Sequence, residues 1–228
     1  MKKNNTRIKT KRLELTPLTD DELRERLDTE PDAEMRKALG DMLRGCESAL
    51  DSRLWYTEWR ACLREGGERI GSLCFKGPPN ELGEAEIGYG TEEAYRGKGY
   101  AYEAARALID WAFSQAEGLY YVTAETDPMN DASQAVLKKL GFKETGEAGE
   151  EGPRFELERP ATFWLAIYMC LGMSVGLCFG VSSDNMSIGL CIGLAVGLAI
   201  GSALDAGERK KRDEMKRARE AMKQHDDA

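Results

Sequence analysis

Arg96-Gly97-Lys98-Gly99-Tyr100-Ala101 stands between a strand-like run, Glu84 to Tyr89, and a long stretch with apolar residues at helical spacing. Two glycines in such a turn let the backbone curl so that several N–H groups point at one spot. The positive end of the following helix dipole adds attraction for an anion. The stretch therefore predicts a phosphate cradle. Beyond it Ala101, Ala104, Ala105, Leu108, Ile109, Ala112 and Phe113 recur at helical spacing, which predicts one face packed on a sheet. Further on, Asn130-Asp131-Ala132-Ser133 leads into Val136-Leu137-Lys138-Lys139-Leu140-Gly141-Phe142, a helix that stops on glycine followed by an aromatic residue.

Upstream of the cradle, alternating apolar positions in Arg12 to Leu18 predict a first strand. Thr19 to Leu50 reads as one or two helices broken near Pro31. Leu54 to Arg64 and Glu68 to Phe75, separated by Gly66-Gly67, predict a hairpin, and Pro78-Pro79-Asn80 marks a loop. With strands at Tyr120 to Thr126 and near Arg154 to Leu157, the expected class is a mixed α/β layered domain over residues 1–158.

The 228 residues leave room for one ordinary core and an appendage. Formal net charge is −8, and residues 1–160 hold 24 Lys and Arg against 32 Asp and Glu. An acidic domain repels nucleic acid and favours a cationic amine, so no nucleic-acid partner is expected. The six cysteines form no C-x-x-C pair, and the only histidine, His225, lies in the charged tail. Neither a metal site nor Cys-His catalysis is expected, and the cysteines read as small apolar residues of a reducing compartment. The first dozen residues carry six cations and no apolar run, so no signal peptide is expected.

Composition changes at Pro160. Ala161 to Val181 carries no charge, and after Ser182-Ser183-Asp184-Asn185 neither does Met186 to Leu204. At about 1.5 Å per helical residue each run is roughly 28 to 32 Å long, near the thickness of a bilayer core. Two transmembrane helices, about 161–181 and 186–204, are expected, followed by a charged tail at 205–228; a buried helical hairpin of a water-soluble protein is the alternative. Gly172, Gly176 and Gly180, then Gly189, Gly193, Gly197 and Gly201, recur every fourth residue. Such glycine-zipper faces let helix backbones touch, so the helices should pack on each other or on copies of themselves in a homo-oligomer. The connecting loop has no cation, whereas Arg159 and Arg209-Lys210-Lys211-Arg212 flank the runs, which places both ends in the cytoplasm. Phe163, Trp164 and Tyr168 fit an aromatic belt, and the basic tail offers attraction to anionic lipid.

The pattern R-G-K-G-Y-A, N-x-x-S and L-G-F resembles the GNAT superfamily of N-acetyltransferases over residues 8–158. The opening Lys11 to Leu18 and the Ala85-Glu86-Ile87-Gly88-Tyr89 strand look like its branch of ribosomal-protein N-terminal acetyltransferases. The resemblance implies acetyl-CoA as co-substrate, with pyrophosphate on the N–H groups from Gly97 to Ala101, Tyr100 included, and Arg96 and Lys98 nearby. It implies a pantetheine arm between splayed strands at Glu86 to Gly90 and Val122 to Thr126, with Asn130 at the cleft mouth and a backbone N–H near Tyr89 to Thr91 meeting the oxyanion. Asn130 and Ser133 also suit a helix cap and first turn. Glu86 is the candidate base for the attacking amine, or else an exposed strand residue. Many members carry a tyrosine acid seven residues after the asparagine, where this chain has Leu137, so the acid falls to Ser133 or to water. Tyr56, Trp55 and Trp59 line the acceptor side or belong to the core. The expected activity is transfer of acetyl to an unidentified amine in a ternary complex by a membrane-anchored enzyme. A non-catalytic module that binds acyl-CoA or peptide and regulates a glycine-zipper membrane oligomer is the alternative.

Overall fold

Strand-forming runs with one apolar face pair wherever turns permit, and here they assemble into one eight-stranded sheet in the computed structural model, which describes residues 6–226 and side chains as far as Met222. The first five residues and the His225 side chain lie outside the described residues. The strands are β1 (Ile8–Lys9), β2 (Leu13–Pro17), β3 (Trp59–Leu63), β4 (Arg69–Phe75), β5 (Glu84–Thr91), β6 (Tyr121–Glu125), β7 (Lys143–Ala148) and β8 (Pro153–Glu158). Their order is β1-β2-β3-β4-β5-β6-β8-β7. Every pairing is antiparallel except β5 with β6, which run parallel because α4 (Tyr100–Gln115) crosses over between them. Their register runs only from Glu84↔Tyr121 to Glu86↔Thr123, after which β5 continues to Thr91 without a partner on that side. The sheet is therefore split at the end that receives the N-terminus of α4.

Ala104, Ala105, Leu108, Ile109 and Ala112 of α4 are buried against Leu13, Leu15, Trp59, Leu73, Phe75 and Ile87 of the sheet. The periodicity of the sequence is realised in that contact. Trp55 and Trp59 belong to this core, with ring centroids 5.2 and 4.9 Å from Trp111. The acceptor-side position allowed for them is thereby ruled out, and Tyr56 packs instead on Gly45 beside a second cluster of Leu18, Leu23, Leu39 and Cys46. That cluster lies under α1 (Asp20–Thr29) and α2 (Ala33–Ser48), which part at Pro31 and are capped by Thr19 and Asp32.

Three elements depart from the sequence expectation. The predicted strand from Leu54 begins only at Trp59, because Arg53 is held by Asp20 (2.9 Å) and the Leu18 carbonyl (2.6 Å), fixing Arg53–Tyr56 as one helical turn, α3. Strands β1 and β7 are additions to the expected set; both are short or polar edge strands with no apolar alternation to reveal them. Glu58, one residue before β3, is buried and held by Arg26 of α1 and by Arg69 of β4 at 3.1 Å. Burial pushes its carboxyl pKa up, and the two arginines oppose that. Glu58→Ala should lower stability by about 2 kcal/mol, since the guanidinium groups are left without their acceptor. Thermal unfolding of the intact chain measures it.

The chain forms two compact units, one ending at Arg159 and one beginning at Pro160. The second consists of α6 (Trp164–Ser182) and α7 (Met186–Asp226), joined by a turn in which Asp184 has φ 53° and Asn185 caps α7 by accepting from the Ile188 N–H at 3.2 Å. All seven glycines of the two runs are taken up in the packing of one helix on the other. A Cβ on Gly176 would meet Gly193 Cα at 2.9 Å, and one on Gly201 would meet Leu165 Cα at 2.6 Å. An assembly built from the same faces would require the hairpin to open. At its base the Asp205 carboxylate accepts from the Trp164 and Leu165 N–H groups (3.0 and 3.3 Å), and the Trp164 indole donates to Glu208 at 3.0 Å. Large apolar side chains such as Val175, Phe179, Val181 and Ile188 point outward and are exposed.

Candidate active site

Where β5 and β6 diverge, a cleft of about 820 Å³ opens. Tyr89, Gly90 and Thr91 of β5 form one wall, Asn130, Ser133 and Val136 of α5 (Asp131–Leu140) and its cap the other, and Arg96, Gly97, Gly99, Tyr100 and Ala101 the end. Gly97 and Gly99 have φ of 74° and 76°, the left-handed region that glycine enters without strain. A Cβ on Gly97 would meet nothing within 4 Å, so Gly97 is required by its backbone angle and not by crowding. Gly99 is the N-cap of α4 and supplies no capping side chain, whereas α1, α2 and α5 are each capped by their own side chain. The first N–H groups of α4, which no helical carbonyl can satisfy, are thus presented to the cleft.

The two cations of the motif fold back onto the preceding loop. Lys98 Nζ donates to the Ala94 carbonyl (2.9 Å) over the Tyr95 ring, and Arg96 Nε donates to the Thr91 carbonyl (3.3 Å). Arg12, which sequence reasoning did not single out, braces the turn from the bend between β1 and β2. It donates to the Lys98 carbonyl (3.1 Å) and to Glu103 (2.7 Å), and lies 4.4 Å over the Tyr100 ring. Desolvation of Glu103 is outweighed by hydrogen bonds from Thr10 and from the Arg12 N–H and guanidinium, which hold its pKa below the usual carboxylate range. No short-range signal links residue 12 to residue 98, because β2 and α4 meet only through the fold.

Asn130 caps α5: its Oδ1 accepts from the Ser133 N–H at 3.0 Å, while both residues line the cleft. The Tyr89 hydroxyl lies 3.0 Å from Ser133 Oγ and donates to the Ser133 carbonyl at 3.2 Å, a bond between the two walls. Leu137 is wholly buried in the core. Glu86 sits at the last β5–β6 pair, on the face opposite buried Ile87, and is not among the residues lining the cleft. Its carboxylate is paired with Lys76, whose ammonium also reaches Glu151 (3.2 Å). Burial raises the Glu86 pKa, with Lys76 opposing and Glu125 and Glu151 adding to the rise. Among the described residues no group of three or more His, Cys, Asp or Glu is placed to hold a metal ion.

The family model of the acetyltransferase (GNAT) domain matches residues 12–143, which take in β2 to β6, α4, the split and α5. The chain belongs to this family. Two curated relatives are the uncharacterized N-acetyltransferases YjdG of Bacillus subtilis (strain 168) and p20 of Bacillus licheniformis. YjdG is 40% identical over 87 residues, 38% of this chain and 51% of its own length. For p20 the figures are 37% over 84 residues, 37% of this chain and 47% of its own length. The chain spans about half the length of the curated relatives it matches. Among solved structures, an acetyltransferase of Agrobacterium tumefaciens str. C58 aligns at TM-score 0.52 and 24% identity, covering 68% of this chain and 95% of that one. The Salmonella typhimurium enzyme described as modifying the N-terminal serine of ribosomal protein L7/L12 aligns at 0.52 and 17%, covering 68% and 100%. At such identities these two share the GNAT fold and nothing finer is inferred from them.

Proposed function

We propose that the first unit transfers acetyl from acetyl-CoA to a primary amine by direct attack in a ternary complex. The observation that carries this is the uncapped N-terminus of α4, opening with two left-handed glycines onto the cleft where β5 and β6 part. It supports pyrophosphate on the N–H groups from Gly97 to Ala101 and the acetyl-bearing arm along the unpaired backbone of β5. The opening strand and the Ala85 to Tyr89 run support the ribosomal-protein N-terminal acetyltransferase branch, whose acceptor is a chain-terminal amine.

In this reading Glu86 takes the proton of the attacking amine, directly or through water, and the acceptor ammonium displaces that of Lys76 from the carboxylate. The backbone N–H groups of Tyr89 to Thr91 meet the oxyanion. No cysteine lines the cleft, and the hydroxyl of its Ser133 meets the Tyr89 phenol and not a base, which favours direct transfer over a covalent acetyl-enzyme. Buried Leu137 and the Lys76–Glu86 pair favour the other reading, a GNAT-like module that binds acyl-CoA without turnover. Calorimetry of the intact protein with acetyl-CoA, followed by thiol release in the presence of primary amines, decides between them. Heat without thiol release supports the module, and no heat removes both readings. Gly99→Val should weaken acetyl-CoA binding at least about tenfold, because a β-branched residue is strained by roughly 1–2 kcal/mol at that φ and its side chain intrudes on the anion site.

The second unit is read as a membrane anchor. Its two helices are long and apolar enough to cross a bilayer, and their large apolar side chains face outward. The cations beyond both outer ends favour a two-pass topology with both termini cytoplasmic. Recovery of the protein from membranes by detergent but not by alkaline carbonate tests the anchor.

A further inference from the structure

A departing thiolate needs a proton, and Leu137, at the position where the family resemblance implies a tyrosine acid, is an apolar residue shut inside the core. Ser133 alone is a poor substitute, since an aliphatic alcohol is a far weaker acid than a phenol, whose ordinary pKa is about 10. The structure supplies a phenol at Ser133 from the opposite wall. Tyr89 Oη lies 3.0 Å from Ser133 Oγ, and both residues line the cleft at the strand split.

We infer that Tyr89 is the proton source of the site and Ser133 the last link to the sulfur. The inference rests on the acetyltransferase reading given above. The balance is complete without a further reactant. The amine nitrogen bonds to the acetyl carbon and the C–S bond breaks; sulfur takes the Ser133 hydroxyl proton, Oγ takes the Tyr89 proton, and the phenolate is reprotonated by solvent. The proton lost by the amine leaves through Glu86. The geometry allows the relay to be loaded by one rotation. While Tyr89 donates to the Ser133 carbonyl, at 3.2 Å, its oxygen accepts from the Ser133 hydroxyl. Turning the phenol proton to Oγ releases that hydroxyl toward the cleft. Burial raises the Tyr89 pKa, with the bond to Ser133 opposing, so the phenol stays protonated through neutral pH.

The test uses the full-length protein with a short peptide bearing a free N-terminus and with a diamine as acceptors, read by single-turnover thiol release. Tyr89→Phe keeps the ring in place and removes only the proton. Its kcat should fall about 10- to 100-fold, with acetyl-CoA affinity by calorimetry and KM unchanged, and the basic limb of the kcat profile should disappear. Ser133→Ala should fall comparably, and the double variant no further than the worse single one. A Tyr89→Phe rate within about twofold of wild type overturns the inference, as does a double variant whose losses multiply, or a loss confined to KM and affinity as a mere tie between the walls would give. If the wild type releases no thiol with either acceptor, the acetyltransferase reading itself fails, a result distinct from an active wild type matched by Tyr89→Phe.

Discussion

Gly193→Leu is expected to force α6 and α7 apart, while Gly207→Leu, farther along the same helix, leaves them as they are. A Cβ at 193 would collide with the Gly172 carbonyl and stand 2.7 Å from Gly176 Cα and 2.9 Å from Gly176 N, whereas one at 207 meets nothing within 4 Å. Backbone cannot yield as a flexible side-chain end can, so the helices must separate along their length. Glycine at every contact lets the two helix backbones approach closely, and in the proposed membrane anchor that packing is what would hold them, since apolar helices in lipid gain little from hiding one another. Loss of that packing should cost about 3 kcal/mol or more. Paired spin labels on the two helices, in a background without native cysteines, should report a longer separation for the 193 variant alone. Unchanged separation in both variants would show that the glycines are not what holds the hairpin.

The second large effect is on the chemistry. Glu86→Gln should lower kcat about 100-fold or more near neutral pH, with acetyl-CoA binding unaltered, since a general base contributes on that scale. The sign of the pH dependence follows from the carboxyl's surroundings. A base works only when ionised, and burial raises the Glu86 pKa, so the acidic limb of kcat/KM should lie above the range of an ordinary glutamate and vanish in the variant. Lys76 opposes that rise, so Lys76→Met should move the limb to still higher pH. Equal rates for Glu86→Gln and wild type would remove Glu86 from the mechanism.

Local chemistry was legible in the sequence, and pairing at a distance was not. The curled turn at Gly97 and Gly99, the apolar face of α4, the break of α1 from α2 at Pro31 and the glycine spacing each follow from a few neighbouring residues. The brace of Arg12 on the Lys98 carbonyl joins residues 86 apart, and the Tyr89–Ser133 bond joins residues 44 apart. Neither has a periodicity or a spacing to announce it. Glu86 was legible as a residue of the strand, yet its pairing with Lys76 depends on how the β4–β5 turn folds back. The polarity of β7 concealed a strand whose pairing partner, β8, is what the apolar pattern revealed.

One consequence of the unbroken course of α7 concerns the reach of its charge. The helix runs from Met186 to Asp226 as a single element, so the polar portion after Asp205 cannot lie flat along a bilayer surface while the apolar portion spans it. In the proposed membrane anchor it would stand as a post about 30 Å tall at 1.5 Å per residue. Attraction to anionic headgroups fades within a Debye length of about 8 Å. In the proposed anchor only Arg209 to Arg212, in the lowest turns, would remain near that layer, while Lys216, Arg217 and Arg219 would be carried clear of it, to a height where the lipid field is screened and soluble molecules are their surroundings.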